Sequence, residues 1–426
     1  MSLLRSIGAR TVGLLVLVGA TAGAQADLLH QRLVGTGDAY PDGGAFHSLR
    51  SRFAYENDTL YFFGRPSSSS RYNLIKQPVG GTATVLVDST ATIPGGSGTF
   101  YNMSSFAPSV SNGYVAFHNK TQGSTQHGLY LCDPSGTVSR VVDRTIPMPD
   151  FASEFGAFTG PQLHGTDVYF RATSLSPGQD GFYRASGDQF TSIVNNDTII
   201  PGVETALTTK TDFDVDGARF YFYGGDAFDY RAVLSTLDDG ATLQIHADTF
   251  TSMPGYTEWQ FESMSDPRTD NGKLVWWAQS AKDPASDDFR MQGIYGDIDG
   301  QLVSLVDKYT PNPGGGNFEK IESLRGYENG IALFTGEHDR TDTGDEDGLY
   351  YVLPDGSVHL VVEEALTLDG KVIEDLLGSA LYGQTAVFSV QFNDGSKAVY
   401  ATVIPEPTSL LLLAIGAAVT TLRRRR

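Results

Sequence analysis

Val85-Leu86-Val87-Asp88, followed shortly by Ile93-Pro94-Gly95, is the stretch that decides the fold. It is an apolar strand that ends on an acidic residue and runs into a Pro/Gly segment. The pattern recurs as Val141-Val142-Asp143 before Pro147 and Pro149, Ile193-Val194-Asn195 before Pro201-Gly202, and Leu305-Val306-Asp307 before Pro313-Gly314. Pro41, Pro94, Pro149, Pro201, Pro254, Pro313 and Asp369 mark seven units of 52 to 59 residues. A second marker, Phe62, Phe117, Phe170, Phe222, Trp277, Phe334 and Phe388, follows each first one by 19 to 23 residues. Two markers that hold phase over seven units define an internal repeat.

Each unit reads as four strands. Strand A follows the first marker, as in Thr99-Phe100-Tyr101 through Val110. Strand B holds the aromatic marker. Strand C carries Gly-apolar-Tyr, as in Gly128-Leu129-Tyr130, Gly181-Phe182-Tyr183, Gly293-Ile294-Tyr295 and Gly348-Leu349-Tyr350. Ala398-Val399-Tyr400 is a weaker copy, and units one and four depart with Leu74-Ile75 and Val233-Leu234. Strand D is the Val-Val-Asp type ending. Asn112-Gly113, Asp216-Gly217, Asn271-Gly272 and Asn329-Gly330 between A and B, and Asp299-Gly300 and Asp355-Gly356 between C and D, suit the positive φ of tight hairpins. Seven four-stranded antiparallel units predict an all-β, seven-bladed propeller. The last unit lacks a strand D, and the chain begins with an unpaired D-type strand, Leu28 to Val34, which is expected to close the ring. A pair of β-sandwiches predicts no such phase and leaves that strand unexplained. Loop length concentrates on the face shared by the D–A and B–C connections, the expected binding face.

Composition removes several classes. The 426 residues carry 30 basic and 50 acidic side chains, a net charge of −20. Arg5, Arg10, Arg423–Arg426 and Glu406 lie in the two ends, so residues 27–404 hold 24 basic against 49 acidic residues, or −25. A nucleic-acid partner needs a basic footprint and is excluded as an expectation. A single cysteine, Cys132, rules out an internal disulfide framework.

Residues 1–26 read as a secretory signal, with Arg5 and Arg10 ahead of an apolar run from Gly13 to Ala20 and a small-x-small site at Ala24-Gln25-Ala26 for signal peptidase. The C-terminus reads Pro405-Glu406-Pro407, then an apolar stretch from Leu410 to Leu422, then four arginines. That stretch is expected to form a single short transmembrane helix within residues 408–422, with the arginines cytoplasmic. This tail resembles the PEP-CTERM sorting signal of exopolysaccharide-producing Gram-negative bacteria. The resemblance covers residues 405–426 and implies recognition by an exosortase, a membrane transpeptidase-like enzyme, with processing near Pro405, Glu406 and Pro407. A plain membrane anchor is the alternative. The repeat body is similar to secreted propeller-like proteins that carry the same tail. The expected domains are therefore 1–26, 27–404 and 405–426.

Candidate chemistry is sparse. Asp212, Asp214 and Asp216 alternate as in the opening of a calcium loop, but the twelfth position is Tyr223 and Asp216-Gly217 falls on a hairpin turn. The eight histidines show no paired metal spacing, which gives zinc no support and leaves no cofactor expected besides calcium. No Gly-x-Ser-x-Gly elbow or phosphate-cradling Gly-Lys-Ser/Thr loop is present. Trp259, Trp276 and Trp277 could stack on sugars, although Trp277 sits on the strand-B core grid and Trp276 should point the other way. The segments 278–292 and 335–347 read as long acidic B–C loops, with Asp283, Asp287 and Asp288 in one and Glu337, Asp339, Asp342, Asp345, Glu346 and Asp347 in the other.

Address, architecture and missing motifs together predict an exported surface or matrix protein. Its propeller would bind a glycan or a surface protein without catalysis. A polysaccharide lyase or hydrolase with carboxylates in the central channel, and a matrix protein bridged by divalent cations, are the alternatives.

Overall fold

The computed structural model describes residues 28–405, apart from 121–126, 150, 176–177, 238–239, 241, 284–290 and 341–343. The expected signal segment with Ala24 and Ala26, residues Glu406 and Pro407, and the expected membrane helix lie outside the described residues. Among the described residues no helix is long and apolar enough to cross a membrane.

Seven antiparallel sheets follow one another as blades, each in the order A-B-C-D. Blade 1 is Phe46–Glu56, Thr59–Pro66, Asn73–Pro78 and Thr84–Val87. Blade 7 takes A, B and C from Lys371–Tyr382, Thr385–Phe392 and Lys397–Val403, and its outer strand from the other end of the chain, His30–Gly35. The ring is closed as the sequence predicts. One expectation changes. In blade 2 only Ser109–Ser111 is regular strand A, because a turn at Ser104-Ser105 and Pro108, which lacks an N–H, interrupt the segment from Thr99.

The repeat markers have physical reasons. In every blade the C–D pairing slips by one residue before the third residue of the strand-C motif: at Leu74/Ile75, Leu129/Tyr130, Phe182/Tyr183, Val233/Leu234, Ile294/Tyr295 and Leu349/Tyr350. Blade 7 slips at the matching place, between Val399 and Tyr400, although its partner strand comes from the far end of the chain. This bulge brings the strand-D backbone against the motif glycine. A Cβ on Gly128 would lie 2.1 Å from the Val142 carbonyl oxygen, and one on Gly293 2.5 Å from that of Val306. The tyrosine two residues on shares the glycine's side of the strand. A Cβ on Gly181 would meet the Tyr183 hydroxyl at 2.8 Å, and one on Gly348 the Tyr350 hydroxyl at 2.5 Å. Where the tyrosine is replaced by Ile75 or Leu234, Asn73 and Ala232 stand in place of the glycine.

That tyrosine packs with the strand-B aromatic and with a third ring from the entry to strand A. Tyr130 meets Phe117 at 5.8 Å and Phe100 at 5.2 Å; Tyr350 meets Phe334 at 5.7 Å and Phe318 at 4.9 Å. Such pairs contribute about 0.5–1.5 kcal/mol each beyond their buried area. Blade 5 corrects one expectation. Trp276, not Trp277, opposes Tyr295 and is fully buried, while Trp277 is half-buried and donates its indole N–H to the Ile321 carbonyl of blade 6 at 2.6 Å. The entry to blade 5 carries a hairpin, Ser252–Met253 with Tyr256–Gln260, a longer form of the bridged reversal that opens the other blades.

The acidic ends of strand D close turns rather than bind ligands. Asp143 accepts from the Thr145 N–H and hydroxyl at 2.9 and 2.6 Å, and Asp248 and Asp307 do the same with Phe250 and Thr251, and with Tyr309 and Thr310. Neighbouring blades are latched at the turn face. The last side chain of strand A accepts from backbone amides of the next blade's A–B turn. Glu56 accepts from Asn112 and Gly113 at 2.7 and 2.8 Å, Ser111 from Gly165 at 3.1 Å, Asp216 from Gly272 at 2.6 Å and Asp270 from Asn329 at 2.7 Å; Glu328 accepts from Gly383. These turn amides have no partner in their own hairpin, and carboxylates satisfy them strongly.

Blade 2 buries a histidine pair, His118 and His127, with their Nε2 atoms 2.6 Å apart. Only one proton fits between two such nitrogens, so both rings cannot be charged at once, and burial disfavours the charge on either. Burial first, then His127 and Lys120, pushes His118 down to about 3; burial, then Arg144 and Lys120, pushes His127 down to about 4.

Two outcomes follow. Val34 is fully buried in the closing strand, so Val34→Asp places a charge in the seventh blade and is expected to cost roughly 3 kcal/mol or more. Unchanged melting would show that closure contributes nothing. The unfolded chain takes up protons at the histidines near pH 6.5, before the folded one does. The pair's stabilisation is therefore complete above that pH and lost as pH falls towards 4. His127→Gln should lose less stability than the unmodified chain between pH 6.5 and 4, measured by denaturant titration; parallel profiles would refute this.

Candidate binding face and central channel

The closed ring gives two unlike faces. The A–B and C–D connections are tight turns, with Asn112, Asn271, Asp299 and Asn329 at positive φ. The D–A and B–C connections are longer and make up the other face. Tyr101, Leu175, Ile199, Phe228, Phe250, Tyr309 and Leu366 are exposed on these connections, and Val372 at the start of the strand A that follows. Leu29, Leu237 and Val403 are the exposed large apolar residues at the turn face. The expected loop 335–347 is instead an extended hairpin of Ile331–Arg340 and Gly344–Val352, with Glu337 opposite Asp347. The strands continue because β-pairing satisfies the backbone that a loop would leave to water.

Between blades 4 and 5 the loop face opens into a cleft of about 640 Å³. Tyr223, Asp229, Arg231, Glu258, Trp259 and Glu262 line it. Trp259 is carried by the blade-5 entry hairpin and stacks on Tyr256 at 4.7 Å and 22°. Tyr309 lies 6.2 Å beyond Tyr256. Arg231 is held from below by the carbonyls of Asp226 and Tyr230 at 2.9 and 2.8 Å.

The central channel, about 840 Å³, is lined by the strand-A segment of every blade. It holds Arg52, Arg268 and Arg325 with Asp212, Asp214 and Glu328. Burial lifts the carboxyls of Asp214 and, nearby, Asp266 above the ordinary range against the pull of Arg268; burial lifts Glu328 to about 7. Asp266 sits at φ 51° where the strand bulges between Ser265 and Arg268. That conformation is strained for a non-glycine residue.

Asp212, Asp214 and Asp216 lie along one extended strand, Thr209–Asp216. Asp214 accepts from the amides of Val215 and Thr269 at 3.0 and 2.9 Å, and Asp216 latches Gly272. Among the described residues one group of three potential metal-ligating side chains converges, Glu322, Glu337 and Asp347 of blade 6. Lys320 is already seated there, 2.9 Å from Glu322 and 2.6 Å from Glu337. Sequence reading missed this trio because three strands contribute to it. It missed the histidine pair because the partners come from adjacent strands. Cys132 is buried in blade 2, with its thiol pushed up to about 12 first by burial and then by Asp133.

Residues 35–218 match a family model described as "Family of unknown function (DUF7453)", and residues 403–426 match the PEP-CTERM protein-sorting motif. No curated protein matches the chain in sequence. Among solved structures, the β-propeller domain of the Trilobed protease from Pyrococcus furiosus is similar at 8% identity and a TM-score of 0.52, over 83% of this chain and 95% of that one. Its reported topology is an open velcro, whereas here the ends pair. Puromycin hydrolase follows at 13% identity and a TM-score of 0.47, over 83% of this chain and 51% of that one. A puromycin-hydrolyzing peptidase of Mycobacterium tuberculosis stands at 12% and 0.38, over 84% and 61%. The chain spans about half the length of puromycin hydrolase. At these identities the likeness is one of fold alone. The chain is an exported protein with a seven-bladed propeller body, similar over residues 35–218 to that family of unknown function and tagged at its C-terminus by a PEP-CTERM sorting motif that implies processing by exosortase.

Proposed function

We propose that the propeller is a binding module of the cell surface or extracellular matrix that holds polysaccharide through its loop-rich face, without catalysis. The observation that carries this is the division of surface between the two faces. Exposed aromatic and aliphatic side chains gather on the D–A and B–C connections, while the turn face is occupied by blade latches and by both chain ends. The pairing of His30 with Thr402 puts the entry of the first strand beside the exit of the last. In this reading residues 1–26 are removed on export. The tail from Pro405 then holds the turn face towards the membrane during processing and leaves the loop face free.

The strongly acidic body disfavours anionic polymers that no cation bridges. The competing enzymatic reading draws on Asp214, Asp266 and Glu328, whose carboxyls burial raises in or beside one channel. Such shifts suit acid–base work, although structural burial produces them too. One experiment separates the two. The full chain in mild detergent is run on a sizing column with bacterial polysaccharides of defined length. Co-elution with polymer of unchanged length supports the binding module. Shortened polymer supports the enzyme, and Glu328→Gln should then abolish the shortening. Separate elution with every polymer tested refutes both.

A further inference from the structure

We propose that the cleft between blades 4 and 5 is the sugar-binding site of the loop face, and that it takes a non-anionic polysaccharide segment, an amine-bearing chain more tightly than a neutral one. The inference rests on the polysaccharide-binding reading and gives it a place and a ligand class.

The repeat itself points to the place. The entry to each blade makes a short antiparallel reversal around its marker, bridged at Ala39–Ala45, Thr92–Thr99, Pro147–Glu154, Ile199–Ala206 and Pro311–Asn317 in five of them. At blade 5 this reversal is widened into a two-stranded hairpin, Ser252–Met253 with Tyr256–Gln260, which is longer than these bridged counterparts. In repeat architectures elaborations of one copy collect on the binding face. The hairpin builds a ring surface at the cleft. Trp259 stacks on Tyr256, and Tyr309 extends the row. Phe228, 80% exposed, and Phe250, 70% exposed, stand on the neighbouring blade-4 connections. Exposed apolar rings on a monomer mark an interaction site when they gather.

The ligand class follows from the chemistry of the walls. The flat faces of pyranose rings are C–H-rich and pack on aromatic rings, while their hydroxyls need hydrogen-bond partners at the edge. Trp259 and Tyr223 supply ring faces; Glu258, Glu262 and Asp229 supply acceptors, and Gln260 and Ser263 supply both donors and acceptors. The cleft holds three carboxylates against Arg231, whose Nη1 is committed to two backbone carbonyls. A uronate or sulfated chain meets like charge here. An amine-bearing chain meets carboxylates and electron-rich ring faces, both of which favour a cation. A volume of about 640 Å³ is in the range of sites for small ligands, which fits a few sugar residues rather than a folded protein.

The test is calorimetric titration of the full chain in mild detergent with a chitosan hexamer, a neutral β-1,4-glucan hexamer and an alginate hexamer. Binding strength is expected to fall in that order, with alginate not bound. Trp259→Ala should weaken both bound sugars roughly tenfold or more, while Trp259→Phe retains most of the affinity. Glu258→Gln with Glu262→Gln should remove the advantage of chitosan and spare the neutral glucan. Melting curves separate loss of site from loss of fold: Trp259 also packs on the core between blades 4 and 5, so Trp259→Ala is compared at a temperature where it remains folded, and Trp259→Phe keeps that packing. Sugar binding that survives Trp259→Ala overturns the cleft but leaves the loop-face reading standing. Alginate bound as tightly as chitosan overturns the ligand class. Failure of all three hexamers, together with separate elution of every polymer in the sizing experiment, overturns both readings.

Discussion

The pairing of His30–Gly35 with Lys397–Val403 is the contact on which the rest of the molecule depends. Six of the blades are built from consecutive hairpins and could form in any stack of repeats. The seventh exists only if the two ends of the body meet. Arg32 Cα faces Tyr400 Cα, Val34 faces Val399, and the single unpaired residue between them, Leu33, repeats the bulge of every other blade. Each backbone bond of such a pair is worth only about 0.5–1.5 kcal/mol net. The contact matters more for what it prevents, since an unpaired strand C would be an open edge ready to pair with another chain. Side chains reinforce it, with His30 on Thr402 at 2.7 Å and Lys397 N on the Thr36 hydroxyl at 3.0 Å. On the inner side Tyr382 of blade 7 donates to the Phe53 carbonyl of blade 1 at 3.2 Å, so the ring is joined at both its outer and its inner radius.

Closure leaves a second problem, that of holding wedge-shaped blades in register at the axis. The latch from the end of strand A to the next A–B turn answers it, and explains why so many acidic residues sit beside turns. Glu56, Asp216, Asp270 and Glu328 each neutralise an unsatisfied amide of the following blade. Residues that look like free carboxylates in a strongly acidic sequence are, at these positions, structural acceptors. Asp143, Asp248 and Asp307 perform a parallel task at the opposite face, where they cap the exit of strand D.

The fold was legible because its constraints are local and repeated. A glycine forced by the approach of the Val142 or Val306 carbonyl leaves the same letter in four of the seven copies, and the tyrosine that fills the space above it recurs in five. Asn73 and Ala232 accompany Ile75 and Leu234 where the tyrosine is missing, whereas blade 7 keeps Tyr400 with Ala398, where the strand-D partner comes from the other end of the chain. Phase errors appeared where a step was irregular. Two adjacent tryptophans competed for the marker of blade 5, and pairing with Tyr295 selects Trp276, while Pro108 with the Ser104-Ser105 turn broke the expected first strand of blade 2. The candidate site was much less legible. Trp259 is one tryptophan among three in sequence, and only its place on the widened entry hairpin, beside Tyr256 and an open cleft, distinguishes it from the buried Trp276. Glu322, Glu337 and Asp347 converge through register between strands, a property that spacing along the chain does not record.

The tail and the binding face are coupled by geometry. Strand C of blade 7 ends at Val403 on the turn face. Ile404 is then fully buried, with its N–H on the Gln384 carbonyl at 2.7 Å. Pro405 follows directly, so no slack chain separates the folded body from the sorting motif. A body on so short a tether is held with its turn face towards the surface that carries the tail. The latches and tight turns on that face offer few exposed apolar groups for a second contact. The same body is strongly acidic and is repelled by anionic lipid. In the proposed surface-binding reading attachment rests on the tail, and cutting it would free a propeller whose loop face points outward.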